Sequence, residues 1–262
     1  MMKLIIKITI ALFLFPSLTY GQGISEKLGG MLGGKTKYED AYTFRHTARM
    51  EMTATEKGGK KSSQSVFDMC SNPDDKVMAM EVISVDGKPQ KEKALIIFDT
   101  PNKTMLTLMT DSKGERTGMA MAFDPEEIEK TVAEAEAETG EKFSAGNTSF
   151  TKTGNTKDIL GYTCHEYAFD SDDSQGTAWL TEEAEINMAT FFGAMGQSDK
   201  KARDPFAGVD GYPQGMIMEM TSTDKKSNDT SEMKVIDIDL DASVTTRPKD
   251  YNIMSLSNMF GN

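Results

Sequence analysis

Two histidines, two cysteines and one tryptophan are all that the 262 residues contain. Zinc sites built from imidazole and thiolate, and relays that need several histidines, are poorly provided for. Basic residues are also scarce: 29 Lys+Arg stand against 41 Asp+Glu, a formal net charge of -12. Binding to a phosphate backbone draws on counterion release by clustered cations, so nucleic acid is not an expected partner. No apolar run approaches the ~20 residues of a membrane-spanning helix, so a protein integral to the membrane is not expected either. What is abundant is methionine, 20 in all, more than Leu, Ile or Val taken singly. An apolar interior built from these residues is soft and adaptable.

Residues 1–21 place Lys3 and Lys7 near an apolar run from Ile8 to Phe15, followed by Pro16 and small or polar residues. That is the order of a secretory leader, with a run too short to cross a bilayer. Cleavage after Gly21 is expected, a retained signal anchor being the alternative. The mature chain is then periplasmic or secreted. Losing two lysines from 29 leaves 27 basic against 41 acidic residues, a net of -14, which opposes contact with anionic membranes. An oxidising compartment makes Cys70 and Cys164 candidates for a disulfide, the alternative being two buried thiols.

Residues 22–37 carry Gly29-Gly30 and Gly33-Gly34 and read as a flexible lead-in. Alternation then begins. Tyr42, Phe44, His46, Ala48, Met50 and Met52 occupy every even position of 42–52, the pattern of a half-buried strand. Similar patterns recur at 65–70, 77–85, 94–98, 104–109 and 117–123, separated by turn residues such as Asp86-Gly87 and Ser112-Lys113-Gly114. Such short spacings favour an antiparallel meander. Asp124-Pro125-Glu126-Glu127 reads as a helix start, running to about Thr139. Strands resume at 148–152, 163–169 and 177–180. A second helix is expected over 182–195, with Ile186, Phe191, Phe192 and Met195 on its apolar face, and the last strands at 215–221 and 233–240. The expected architecture is α+β: about ten antiparallel strands curving round an apolar groove, covered by two helices, as one domain over 38–254 with a tail at 255–262.

Ile159-Leu160-Gly161-Tyr162-Thr163-Cys164-His165-Glu166-Tyr167, followed by Trp179-Leu180-Thr181-Glu182, resembles the core motif of bacterial domain-of-unknown-function family 4412. Tyr42-Thr43-Phe44, Gly211-Tyr212-Pro213 and Arg247-Pro248-Lys249-Asp250-Tyr251 add to the likeness. The resemblance covers roughly residues 37–254. That family is exported and is similar to the outer-membrane lipoprotein carrier fold, a strongly curved antiparallel half barrel whose concave face is covered by helices. What the resemblance implies is a hydrophobic-ligand carrier or sensor rather than an enzyme, with no cofactor.

Methionine recurs at two-residue spacing in Met50/Met52, Met78/Met80, Met119/Met121 and Met216/Met218/Met220. Residues at i and i+2 share one face of a strand, so four strands each present a methionine stripe. Three readings stay open: a sheet core that happens to use methionine, a cavity for lipid-like molecules, and copper(I) held by thioethers. For the cavity, the candidate ligand-binding residues are Phe44, the nine methionines just named, Phe191, Phe192 and Met195. An envelope protein is a further candidate partner, and a filled-core structural or interaction module the opposing class.

The remaining motifs point elsewhere. Asp170-Ser171-Asp172-Asp173 fails the register of a calcium-binding EF-hand and reads as a turn. Asp237, Asp239 and Asp241 alternate with Ile236, Ile238 and Leu240, an outward row suited to guarding an edge strand. Cys164 and His165 are strand neighbours and point to opposite faces, which is poor geometry for a nucleophile and its base.

Overall fold

The structure is a computed structural model and describes residues 36–72, 76–122, 149–172, 174–184, 186 and 215–255. Its strands, in chain order, are β1 (Tyr42–Phe44), β2 (His46–Glu56), β3 (Lys60–Asn72), β4 (Val77–Val85), β5 (Lys88–Pro89), β6 (Lys93–Asp99), β7 (Thr104–Thr110), β8 (Arg116–Ala122), β9 (Ser149–Ile159), β10 (Tyr162–Asp170), β11 (Ser174–Thr181), β12 (Met216–Asp224), β13 (Thr230–Asp239), β14 (Val244–Thr246) and β15 (Asn252–Ser255). Thirteen of them form one sheet, in the order β15-β8-β7-β6-β4-β3-β2-β13-β12-β11-β10-β9, with β5 beside β4. The pairings are antiparallel except that of β15 on β8, which is parallel. β1 and β14 form a separate two-stranded ribbon.

Turn chemistry sets the tight hairpins. Asp86 and Gly87 between β4 and β5, and Leu160 and Gly161 between β9 and β10, all have positive φ, 51° and 71° in the first pair and 52° and 85° in the second. Two successive residues in that region give the turn whose twist matches paired strands, and Gly161 takes it without a Cβ penalty.

The even-position alternation of 42–52 does not make one strand. It breaks at Arg45, whose amide donates to the Ser71 carbonyl at 3.1 Å. β1 thereby leaves the main sheet, and Tyr42 and Phe44 join a buried cluster with Cys70, Val77, Ala79, Ile97, Leu106, Leu108 and Ala120. The ribbon is latched through a buried carboxylate. Tyr42 Oη donates to Asp99 Oδ2 at 2.6 Å, and Asn102 donates to the same carboxylate from its backbone N (3.0 Å) and its Nδ2 (2.8 Å). Asp99 is fully buried, so these donors replace the water it has lost. Its burial and the Asp99 carboxylate hold the Tyr42 phenol protonated well above its ordinary range.

The opposite parity of the same strands feeds a second buried cluster that includes Met50, Phe67, Met69, Met78, Met80 and Phe98. Apolar groups therefore leave both sides of β4 and β6. This explains why Val77-Met78-Ala79-Met80 and Ile97-Phe98 are continuously buried instead of alternating with polar residues.

Three expectations are corrected here. The described residues are all β apart from one 3-10 turn at Pro248–Asp250, so the α+β reading does not hold: no helix covers a face of the sheet among them. The helix expected over 124–139, and most of the one expected over 182–195 with Phe191, Phe192 and Met195, lie outside the described residues, as do the leader at 1–21 and Gly211-Tyr212-Pro213. Where the second helix was to begin, β11 runs through Thr181 and 182–184 form a bend. The Thr181 hydroxyl accepts from the Glu183 amide at 3.2 Å, and such a local bond supports an isolated turn as readily as a helix cap. Of the two alternatives left open for the cysteines, the structure has buried free thiols, Cys70 in the ribbon cluster and Cys164 in the methionine cluster. Finally, β13 is flanked by β12 and β2, so the Asp237 row guards no edge.

Candidate functional site

The register aligns methionines from strand to strand on the face away from the ribbon. One row runs Ile238, Ala48, Met69, Met80, Ile96, Thr107, Met119 and Met254, crossing β13, β2, β3, β4, β6, β7, β8 and β15. A second runs His46, Ser71, Met78, Phe98, Met105 and Met121. Two shorter rows are Ala178, Met220, Met233 and Met52, and Val235, Met50, Phe67 and Val82. Directly opposed residues in an antiparallel pair have Cβ atoms about 4.5–5.5 Å apart, so each row is a line of touching side chains. None of the residues in these rows is Asp, Glu, Lys or Arg.

Most of the expected methionines meet on this face. Met50, Met52, Met78, Met80, Met119, Met121 and Met220 all stand on it. Met216 is displaced: a bulge between Trp179 and Leu180 puts Ile217 opposite Leu180 and Met216 opposite Thr181, although Met216 and Met218 stay fully buried in the same cluster. Phe44 is not part of the face, since β1 carries it into the ribbon cluster on the other side. Met69, Met105, Met109 and Met233 also belong to the face and were missed, because each is the only methionine in its local pair of alternate positions or spans a threonine. The period-2 pattern of Phe67/Met69, Met105/Thr107/Met109 and Met233/Val235 is the signal that finds them.

Burial is graded across the face. Met50, Met69, Met78, Met80 and Met233 are buried, while Met52, Met105, Met109, Met119 and Met220 are half-buried and Met254 on β15 is 50% exposed. A sheet does not seal its own face. Ala184 and Ile186, just beyond β11, are buried in the same cluster, so the chain there packs onto it. At the far end of the second row two polar atoms, His46 Nδ1 and Ser71 Oγ, are buried without a hydrogen-bond partner. Such atoms are uncommon in a folded protein.

Several polar groups elsewhere are paired. Arg49 forms a two-point pair with Asp68, at 2.7 and 2.8 Å. Lys157 pairs with Glu219 and stacks 4.3 Å above the Trp179 ring. Glu166 accepts from Thr153 and Asn155, both at 2.7 Å, and these bonds lower its pKa. Ser171 Oγ donates to the Ser174 carbonyl at 3.0 Å beyond β10, and Lys225 pairs with Asp170 at 2.9 Å. An open depression of about 420 Å³ lies beside it, lined by polar side chains around Phe169.

The thiols are poor nucleophiles. Burial, then the nearby Asp68 and Glu81, push Cys70 up to about 12, and burial also raises Cys164, which has no exposed surface. Cys164 pairs with Lys157 and His165 with Thr156, which confirms that the two neighbours face opposite ways. Among the described residues no group of three or more His, Cys, Asp and Glu is placed to hold a metal ion, and no helix is long and apolar enough to cross a membrane.

None of the curated proteins matches the chain. Solved structures similar to it include PNGF-II, at 10% identity and a TM-score of 0.35, covering 80% of this chain; the chain spans 31% of that protein's length. An uncharacterized conserved protein from Thermus thermophilus is 7% identical with a TM-score of 0.41, covering 89% of this chain and 98% of its own. A putative outer membrane lipoprotein-sorting protein domain from Vibrio parahaemolyticus is 11% identical with a TM-score of 0.28, covering 83% and 91%. At scores of this size the description of the fold rests on the strand pairing given above. The sequence itself is more decisive: a family model matches residues 47–251, nearly the whole main sheet, and the chain belongs to the family named Domain of unknown function (DUF4412).

Proposed function

We propose that this is an exported, non-enzymatic binding protein whose methionine face holds a lipid or other hydrophobic molecule. The observation that carries the reading is the charge-free expanse from β2 to β8, lined by methionines in register and graded from sealed to half-exposed. Flexible thioether side chains adapt to varied apolar shapes at low cost. His46 Nδ1 and Ser71 Oγ give such a ligand one polar anchor at the end of a row, which suits an amphiphile with a headgroup there. The leader-like order of residues 1–21 supports a periplasmic or secreted location in this reading.

The test is native mass spectrometry of the protein purified from an envelope extract, with organic extraction of the bound fraction. Recovery of a lipid or other apolar molecule at a stoichiometric level is expected. Its absence, together with no quenching by a fluorescent fatty-acid probe, overturns the reading. A second reading, a filled-core envelope module, draws on the complete burial of Met50, Met216 and Met218; it expects no extractable molecule and capture of a protein partner instead.

A further inference from the structure

The half-exposed end of the methionine face has a chemistry of its own. Met105 on β7 lies directly opposite Met121 on β8, and Met119 on β8 is in register with Met254 on β15. Met119 and Met121 are two residues apart on one strand and share a face, about 7 Å apart at Cα. Four thioethers on three adjacent strands thus share one patch; Met254 is 50% exposed, Met105 and Met119 are half-buried, and Met121 is buried at its inner edge. Each sulfur sits at the end of a side chain with three rotatable bonds, so the paired members can reach toward one another across β8.

We propose that Met105, Met119, Met121 and Met254 form a binding site for a soft monovalent cation, Cu(I) or its analogue Ag(I). Neutral thioethers select soft ions, and among the described residues the register puts no carboxylate beside them to serve a hard ion such as calcium or magnesium. The ion keeps its full charge in such a site, which a sealed apolar core would not tolerate. That argument assigns the site to the exposed end of the face and not to the buried methionines of β2–β4. The net charge of -12 draws cations toward the protein. His46, the imidazole on the same face, stands on β2, five strand spacings or about 24 Å from β8, and takes no part. The site stands independently of the apolar-ligand reading.

The experiment is a titration of the purified protein, labelled with ¹³C at its methionine methyl groups, with Ag(I), followed by methyl NMR. Because Cys70 and Cys164 also attract soft ions, total uptake alone is not the readout. Four methyl signals are expected to shift together with the first equivalent, and these should be the signals lost in Met105→Leu, Met119→Leu, Met121→Leu and Met254→Leu. The combined Met105→Leu/Met119→Leu/Met121→Leu variant should bind Ag(I) through methionine at least tenfold more weakly while keeping the parent's far-UV circular dichroism and cooperative thermal unfolding, since leucine conserves volume and apolarity. If that variant fails to fold, Met119→Leu with Met254→Leu, both at partly exposed positions, carries the same comparison. Shifts confined to other methionines, or binding at the thiols with no methionine shift, overturn the proposal.

Discussion

Tyr42→Phe is the sharpest test of how the ribbon is held. The substitution removes one oxygen and leaves the ring, so it opens no cavity and isolates the bond to Asp99. That bond is 2.6 Å long, Tyr42 is 4% exposed and Asp99 is fully buried. A buried hydrogen bond to a charged group is worth about 1.5–3 kcal/mol. Asn102 keeps its two bonds to the carboxylate, which holds the cost within that range and below the several kcal/mol of an orphaned charge. At a urea dependence of about 2 kcal/mol/M, the unfolding midpoint should fall by roughly 1 M with an unchanged slope. Equilibrium urea denaturation followed by far-UV circular dichroism measures it. The difference should narrow as pH rises above the ordinary phenol value of 10.0. The folded phenol is raised and stays protonated where the unfolded one ionises, so the parent loses stability there and the Phe variant does not. A midpoint shift under about 0.2 M at neutral pH would mean that Asp99 is satisfied without Tyr42 and that the latch does not exist.

Burial of Glu81 raises its pKa, with Asp68 adding to the effect and Lys93 opposing it. The folded state therefore holds that proton to higher pH than the unfolded state, and stability falls as pH rises from the ordinary glutamate range through the raised one. Glu81→Gln should be more stable than the parent at neutral pH and equal to it in acid, as read from paired thermal melts. Met50→Ala, at a fully buried position, should cost about 2–5 kcal/mol, whereas Met254→Ala should stay within about 0.5 kcal/mol; urea denaturation of the pair checks both. Neither thiol should react with an alkylating reagent at pH 8 while the protein is folded, and both should react once it is unfolded, as counted by intact mass.

Much of the strand ladder was legible because its alternation is local. The expected 77–85 coincides with β4, and 94–98 and 104–109 fall within β6 and β7. Polar β9 shows where periodicity fails: only its first residues were expected, because Thr151-Lys152-Thr153-Gly154-Asn155 has no apolar face to reveal a strand, and the bulge there is held by Glu166. The methionine stripes were readable for the same local reason. Their assembly into rows depends on register, which no single strand encodes. Phe44 went to the wrong face because a break at Arg45 preserves the even-position count while moving the chain from one sheet to another. The two-sided burial of β4 and β6 was hidden as well, since a short apolar run reads alike in a helix and in a sandwiched strand. The first helix rests on the cap residues Asp124-Pro125 and the second on the apolar positions after Thr181; both segments lie largely outside the described residues.

The burial gradient separates two uses of one residue type. In β2–β4 the methionines are buried and interleaved with Phe67 and Ala48, so there they fill space, as thioethers do where facing side chains are irregular. At Met105, Met109, Met119 and Met254 on β7, β8 and β15 the same residue type remains partly open, although leucine would pack as well and resist oxidation better. Packing accounts for the first group and not for the second. What the second group has that leucine lacks is a polarizable lone pair and freedom to reshape. Both properties act only on something that arrives from outside, whether an apolar chain that needs a compliant wall or a soft ion that needs sulfur. The ribbon makes this asymmetry affordable, because Ile97, Leu106, Leu108 and Ala120 are closed beneath it and anchor β6–β8 from the other side. With that anchoring on one face, the opposite face of the same strands can stay loosely covered without the sheet coming apart.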